Sequence, residues 1–267
     1  MPEGHTIHRL AARHRELFAG QRITVESPQG RFADGAGRLS GSVLRSTEAY
    51  GKHLLHHYDR GTVHIHLGLY GKFADGAGAA PAPVGQVRLR MRTRRNWLEL
   101  RGPTACEIVD ELQVKALVSR LGADPLRDDG DHEAAFERIR RSPTPLGALL
   151  LNQEIVAGTG LIFVTEVLYR AALLPTTPGR ALTHEGWQGI WGDLRVLMAL
   201  AVGTGRIDTV RDEHLPEAMG RAPRVDRHGG EVYVYRRTGQ PCLVCGTPVR
   251  FAELAARNFY WCPVCQH

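Results

Sequence analysis

Apolar positions near the start of the chain recur at helical spacing. Ile7, Leu10, Ala11, His14, Leu17 and Phe18 fall on one face of a run over residues 6–19, and Gly20 ends it. The period then shortens to partial alternation over residues 22–26, 43–47, 53–58, 63–69, 87–93, 97–100 and 105–109, with glycine, proline and aspartate between the segments. That rhythm predicts an antiparallel sandwich or barrel. From about Asp110 the period becomes helical again. One helix covers residues 111–121 and stops at Gly122; Asp131 caps a second through Arg141; Pro145 opens a third over residues 146–156. After Gly158-Thr159-Gly160 a fourth helix covers residues 161–173. Pro175 and Pro178 break it, and Thr183 caps a fifth that reaches Ala201.

Three stretches carry more local expectations. Phe32-Ala33-Asp34-Gly35-Ala36-Gly37 and Phe73-Ala74-Asp75-Gly76-Ala77-Gly78 are nearly the same hexapeptide, and both read as Asp-Gly turns in mobile loops. The second leads into residues 79–83, a flexible alanine-proline connection. Arg88, Arg90 and Arg92 alternate with apolar residues, which predicts a solvated cationic face on one strand, open to phosphate contact.

Composition narrows the class of protein. The 267 residues are 43% hydrophobic, enough for one large or two modest domains with a real core. No apolar run approaches the roughly 18 residues of a membrane span, and the first residues lack a charged-then-apolar leader. A cytoplasmic protein with no membrane partner is expected. The net charge of +6 favours a polyanionic partner. Most of that charge is arginine, so the three lysines, Lys52, Lys72 and Lys115, stand out.

Four of the five cysteines lie from Cys242 onward, as Cys242-Leu243-Val244-Cys245 and Cys262-Pro263-Val264-Cys265. Two such turns complete a tetrahedron of thiolates around Zn2+ with no open position, so the metal is expected to be structural. The remaining Cys106 reads as a small buried hydrophobe. Arg250 and Arg257-Asn258-Phe259-Tyr260-Trp261, between the two turns, suit nucleic acid or a protein partner. Gly158-Thr159-Gly160 before a helix can bring backbone amides to an anion or serve as a plain interhelical turn. Lys52, after Gly51 at a strand start, can reach a phosphate or remain a surface lysine. At the N-terminus, loss of Met1 would leave Pro2 as a secondary amine beside the Glu3 carboxylate. Such an amine can attack an aldehyde-like carbon while the acid moves protons; the same residues can equally form a frayed end.

Together, Pro2-Glu3, Gly51-Lys52-His53-Leu54, Asn152-Gln153 with Gly158-Thr159-Gly160, and Arg257 inside a four-cysteine ribbon resemble the formamidopyrimidine-DNA glycosylase and endonuclease VIII family, nearest its bacterial endonuclease VIII-like branch. The motifs occur in family order over nearly the whole chain. The resemblance implies an α+β multidomain protein: a catalytic β-sandwich with an N-terminal helix over residues 1–120, a helix-two-turn-helix domain over 121–225, and a zinc finger over 226–267. It also implies a monomer acting on double-stranded DNA with damaged bases or abasic sites, the DNA lying between the two halves. In that family's terms Pro2 is the nucleophile on sugar C1′ and Glu3 the acid/base. Lys52 and Arg257 hold phosphates around a flipped nucleotide, and Asn152 and the Gly160 amide contact DNA. Leu69 and Tyr70 resemble the wedge that fills the vacated stack, although core residues at a strand end would fit the same pattern. Two positions depart from the family. Leu161 replaces an asparagine that binds backbone phosphate, leaving only the Gly160 and Leu161 amides for that role. His5 stands where relatives have an acidic residue or proline. The resemblance implies excision of damaged, chiefly oxidised, bases with strand cutting by β- or β,δ-elimination. The departures leave open a damage-binding protein that does not cut, or a shift towards bulky or alkylated bases.

Overall fold

The computed structural model describes residues 2–225 and 230–267, so Met1 and the division expected at residue 226 lie outside the described residues. The chain forms two compact units, Met1–Arg120 and Leu121–His267. No helix among the described residues is long and apolar enough to cross a membrane.

The first unit contains α1 (Gly4–Phe18), β1 (Arg22–Glu26), α2 (Ala33–Leu39), β2 (Ser42–Tyr50), β3 (His53–Tyr58), β4 (Gly61–His66), β5 (Lys72–Ala77), β6 (Val87–Arg92), β7 (Asn96–Arg101), β8 (Ala105–Val109) and α3 (Glu111–Val118). All pairings are antiparallel, in the order β5-β7-β6-β1-β2-β3-β4-β8. The row folds into a sandwich at β1. Arg22 and Ile23 pair with β2, whereas Thr24, Val25 and Glu26 pair with β6, so one short strand serves both layers as their corner. The buried residues of α1 pack into the same core as Ile23, Leu44, Leu54, Ile65, Leu89, Leu98 and Leu100. Full burial of each large aliphatic chain contributes about 1.5–3 kcal/mol. Cys106 joins that core, and burial pushes its thiol up to about 12.

Three local expectations are overturned, each by context. The hexapeptide does not form two mobile loops: its first copy begins α2 and its second is β5. The residues after each copy make the difference. Arg38 and Leu39 extend the first copy as a helix, and Leu39 is fully buried. The second copy ends at Gly78, at φ 81°, and runs into the alanine-proline stretch. The equivalent glycines admit an aromatic ring in both settings, Phe32 against Gly35 and Trp97 against Gly76. Nor is the 79–83 connection free: Arg90 donates to Pro81 O, and just beyond it Arg101 donates through Nε to Val84 O at 3.0 Å. The same contacts bury Arg90 beside Glu99, at 3.2 Å, so the arginine face of β6 is not uniformly solvated.

Unit two contains α4 (His132–Ile139), α5 (Leu146–Leu151), α6 (Leu161–Arg170), α7 (His184–Thr204), α8 (Pro216–Met219) and the hairpin β9 (Arg250–Leu254) and β10 (Arg257–Trp261). Asp131 and Thr183 cap their helices as expected, accepting from Ala134 N and Gly186 N. The helix expected to reach residue 156 stops at Leu151. Gln153 Nε2 donates to Leu151 O and Thr159 O, and Gln153 Oε1 accepts from Gly158 N, so its side chain substitutes for the next helical turn. Phe163, Trp187, Leu194 and Met198 form the centre of this unit's core.

A buried histidine pair makes the first unit sensitive to acid. His14 Nδ1 of α1 lies 3.0 Å from His56 Nε2 of β3, and both rings are fully buried. Their other nitrogens, His14 Nε2 and His56 Nδ1, meet no partner among the described residues. Burial and the neighbouring imidazole hold His14 well below its ordinary range, and burial holds His56 down to about 3. In the unfolded chain both titrate near 6.5. The unfolded state therefore binds more protons below that value. The stability tied to neutral burial is complete above about pH 6.5 and is lost as the pH falls towards 3. By pH 5 the loss should reach about 2 kcal/mol per histidine. Urea titrations at pH 7.5 and 5.0 check this; His14→Leu/His56→Leu should depend less on pH than wild type, and an equal dependence would contradict it.

Candidate functional site

In the first unit the candidate chemistry gathers at one end of the sheet. Glu3 is the N-cap residue of α1, with extended backbone, and is only 2% exposed; Pro2 beside it is half-buried. Pro2 and Glu3 are therefore packed against the fold. Gly20 N donates to Leu44 O at the far end of α1, and Thr47 Oγ1 donates to Ala11 O at its middle. The N-terminal end of α1 consequently points along β2 towards the Gly51-Lys52 turn. The positive end of a 15-residue helix favours a carboxylate there. His5 is buried, and burial together with Arg9 lowers it to about 4, so it is neutral near pH 7.

Lys52 sits in the tight β2–β3 turn, where Gly51 takes φ 57°. β4 ends at the same edge, because His66 pairs with His53. The next turn carries Leu69 at 64% and Tyr70 at 82% exposure. These two side chains fill no core. Gly68, at φ 63°, shapes that turn, and a Cβ there would strike the Thr104 side chain.

In the second unit Asn152 is exposed at the C-cap of α5, and its Oδ1 accepts from Glu154 N at 2.9 Å. Thr159 Oγ1 lies 2.7 Å from Leu150 O and 3.1 Å from Val156 O, fixing the two turns between α5 and α6. Gly160 is the N-cap of α6 and supplies no side-chain cap. Leu161 is half-buried against the core of this unit, which accounts physically for an apolar residue at that position. Arg257 is exposed beside the hairpin tip formed by Ala255 and Ala256, both at positive φ. It pairs with Leu254, two residues before buried Phe259 on the same hairpin face.

The four cysteine sulfurs all lie within 4.8 Å of one another. Cys242 and Cys265 are 3.8 Å apart and Cys245 and Cys262 3.4 Å. Zinc–sulfur bonds of about 2.3 Å require edges of about 3.8 Å in a tetrahedron. The donor set therefore fits structural zinc. Sequence reasoning missed what supports it: the Tyr169 hydroxyl of α6 is 3.1 Å from Cys242 Sγ, and Gln266 Nε2 donates to Leu173 O. It also missed Glu166, fully buried, which accepts from Thr209 Oγ1 and from the amides of Tyr233, Val234 and Tyr235. A carboxylate within Ile162 to Leu168, where Thr165 is the other polar residue, was the available signal.

Comparison with known proteins places the chain in a family. Residues 1–105 match the formamidopyrimidine-DNA glycosylase N-terminal domain, residues 121–212 its H2TH domain, and residues 239–267 the zinc finger found in FPG and IleRS. The chain is 48% identical to Endonuclease 8 1 of Mycobacterium tuberculosis over the full length of both proteins. It is 30% identical to the formamidopyrimidine-DNA glycosylase of Albidiferax ferrireducens, covering 86% of this chain and 84% of that one. In fold it is similar to Lactococcus lactis Fpg in complex with abasic-site DNA, with a TM-score of 0.81, 23% identity and 99% of each chain covered. The chain belongs to the formamidopyrimidine-DNA glycosylase and endonuclease VIII family.

Proposed function

We propose that this chain is a bifunctional DNA glycosylase and abasic-site lyase acting, as a monomer in the bacterial cytoplasm and at the nucleoid during repair, on duplex DNA with oxidised bases or abasic sites. The observation that carries the reading is the buried Glu3 carboxylate next to Pro2, on the helix end that points to Lys52.

With Met1 removed, the Pro2 nitrogen forms a bond to sugar C1′ as the bond to the damaged base breaks and its electron pair leaves with the base. The Glu3 carboxylate takes up the proton that the Pro2 nitrogen loses on forming this bond and delivers it to O4′ as the sugar ring opens. The nitrogen then carries no proton, so the resulting iminium keeps its positive charge. That charge draws electrons when a base removes the C2′ proton and the 3′ phosphate departs. C1′ of a stacked nucleotide is shielded, so the nucleotide must leave the helix first. The exposed Leu69 and Tyr70 suit insertion into the gap. Lys52 and Arg257 would neutralise phosphates, with Asn152 and the Gly160 and Leu161 amides as further backbone contacts.

Borohydride trapping on a duplex with an abasic site tests the reading. Wild type, shown by intact mass to lack Met1, should give a covalent adduct, and Pro2→Gly should lose at least nine-tenths of it. Glu3→Gln should impair base removal more than DNA binding. Binding without either trapping or strand cleavage would favour the non-cleaving, damage-recognising alternative.

A further inference from the structure

The outer face of the layer containing β3, β4 and β8 carries a chain of hydrogen-bonded side chains that ends at His53, the residue after Lys52. Across the ladders His53 faces His66, and His64 faces Glu107. His64 Nδ1 lies 3.0 Å from Glu107 Oε1, and His53 Nδ1 lies 2.8 Å from His64 Nε2. The His53 and His66 rings are 4.9 Å apart. His53 directly follows Lys52, and His66 directly precedes the turn that bears Leu69 and Tyr70. The chain thus runs from edge strand β8 to the end of the sheet where the candidate DNA contacts gather.

The proton positions follow from the acceptor at one end. An ionised carboxylate can only accept, so the His64 proton lies on Nδ1 and its Nε2 is bare. That bare nitrogen must accept from His53, so His53 also carries its proton on Nδ1 and has a lone pair on Nε2. Burial, the imidazoles of His64 and His66, Arg120 and Lys52 all disfavour a second proton on His53 and lower it to about 3. His66 is lowered by burial, His64 and Lys52. The Lys52 charge is therefore felt by both rings. An ammonium has donors only, and the His53 lone pair is an acceptor on the residue that follows it.

We propose that Glu107 and His64 are positioning residues for Lys52: through two hydrogen bonds they hold His53 as a neutral acceptor for the Lys52 ammonium and so set where that cation meets a DNA phosphate. The proposal rests on the reading that Lys52 contacts phosphate. It makes Glu107, exposed and distant in sequence, part of the DNA-binding apparatus.

Two measurements on the full chain test it. Long-range proton–nitrogen spectra at pH 7.5 should show His53 and His64 both protonated on Nδ1, the minor tautomer of a free histidyl side chain. Glu107→Leu should release both from that state. An Nε2-protonated His53 in wild type, or unchanged tautomers in Glu107→Leu, would overturn the relay. In strand cleavage of abasic duplex, His53→Leu and His64→Leu should raise KM about tenfold, the loss of one hydrogen bond to a charged group, with kcat near wild type. His53→Gln, which returns an amide oxygen close to the Nε2 position, should recover most of that loss. A raised KM in Lys52→Ala with unchanged values in His53→Leu and His64→Leu would defeat the relay alone. An unchanged KM in Lys52→Ala would defeat both the relay and the phosphate reading.

Discussion

Replacing Glu166 with alanine should destabilise the second unit by about 4 kcal/mol, among the largest effects of any single substitution in this chain. The carboxylate has no solvent exposure and accepts four hydrogen bonds: from Thr209 Oγ1 at 2.6 Å, Tyr233 N at 2.7 Å, Val234 N at 2.9 Å and Tyr235 N at 2.8 Å. Each amide left buried without an acceptor costs about 1–3 kcal/mol, and relaxation recovers part of the sum. Glu166→Gln should cost less, because one oxygen still accepts and the new NH2, placed at Oε2, can donate to the Thr209 hydroxyl, leaving only the Tyr233 amide without an acceptor. Urea unfolding followed through Trp187 and Trp191, both buried in this unit, gives the measurement. A loss below about 1 kcal/mol would mean that the 233–235 backbone finds other acceptors. The consequence reaches function, because this segment leads directly to Cys242 and is tied by Glu166 to α6, whose first residues carry Gly160 and Leu161.

Removing zinc should have a larger local effect. Structural zinc contributes about 10–16 kcal/mol of apparent binding free energy in isolated fingers at neutral pH. The β9–β10 hairpin has a two-stranded ladder and few alternatives for its order: Phe259 is buried, while Arg250, Phe251, Ala252 and Glu253 face solvent. A strong chelator should therefore release amide exchange protection across β9 and β10, and restored zinc should bring it back. DNA affinity should fall about tenfold or more as Arg257 loses its fixed position, with salt dependence reduced by about one phosphate contact. Cys262→Ser should reproduce the loss, since Cys262 is buried beside Cys242 in the cluster that joins the finger to Tyr169 and Tyr233. Full protection of the hairpin in metal-free protein would contradict the structural role.

How much of this was legible in the sequence depended on how local its cause was. Helix α1, strands β1, β3 and β8, the Asp131 and Thr183 caps and the cysteine tetrad arise from spacing within a few residues, and the structure contains them. The hexapeptide shows where that logic ends. The same residues are helical when Leu39 can enter the core and extended when β7 offers a partner. Neither condition is written in the six residues. Arg90 likewise looked like part of a solvated stripe, because the alternation along β6 does not show the Pro81 carbonyl and the Glu99 carboxylate that its guanidinium meets. At the candidate site, the residue types and order of Pro2, Glu3, Lys52, Leu69, Tyr70 and Arg257 were readable through family resemblance. Their supports were not: Gln153 bracing the two turns, Tyr169 reaching Cys242, and Glu107 reaching His53 through His64 all depend on pairings across elements.

The shared corner strand has a consequence for the order in which the protein is made. Ile23 can meet Ser42 early in synthesis, but Thr24 gains its partner only when Arg92 has emerged. Until then one layer of the sandwich lacks its neighbour, and the core that receives Ile7, Leu17 and Phe18 stays open. The helix carrying Glu3 can thus be tied to β2 early, through Gly20 and Ala11, while the core beneath it closes only when β6 pairs with β1. Loop closure across that interval makes this a long-range, slower step than pairing β2 with β3.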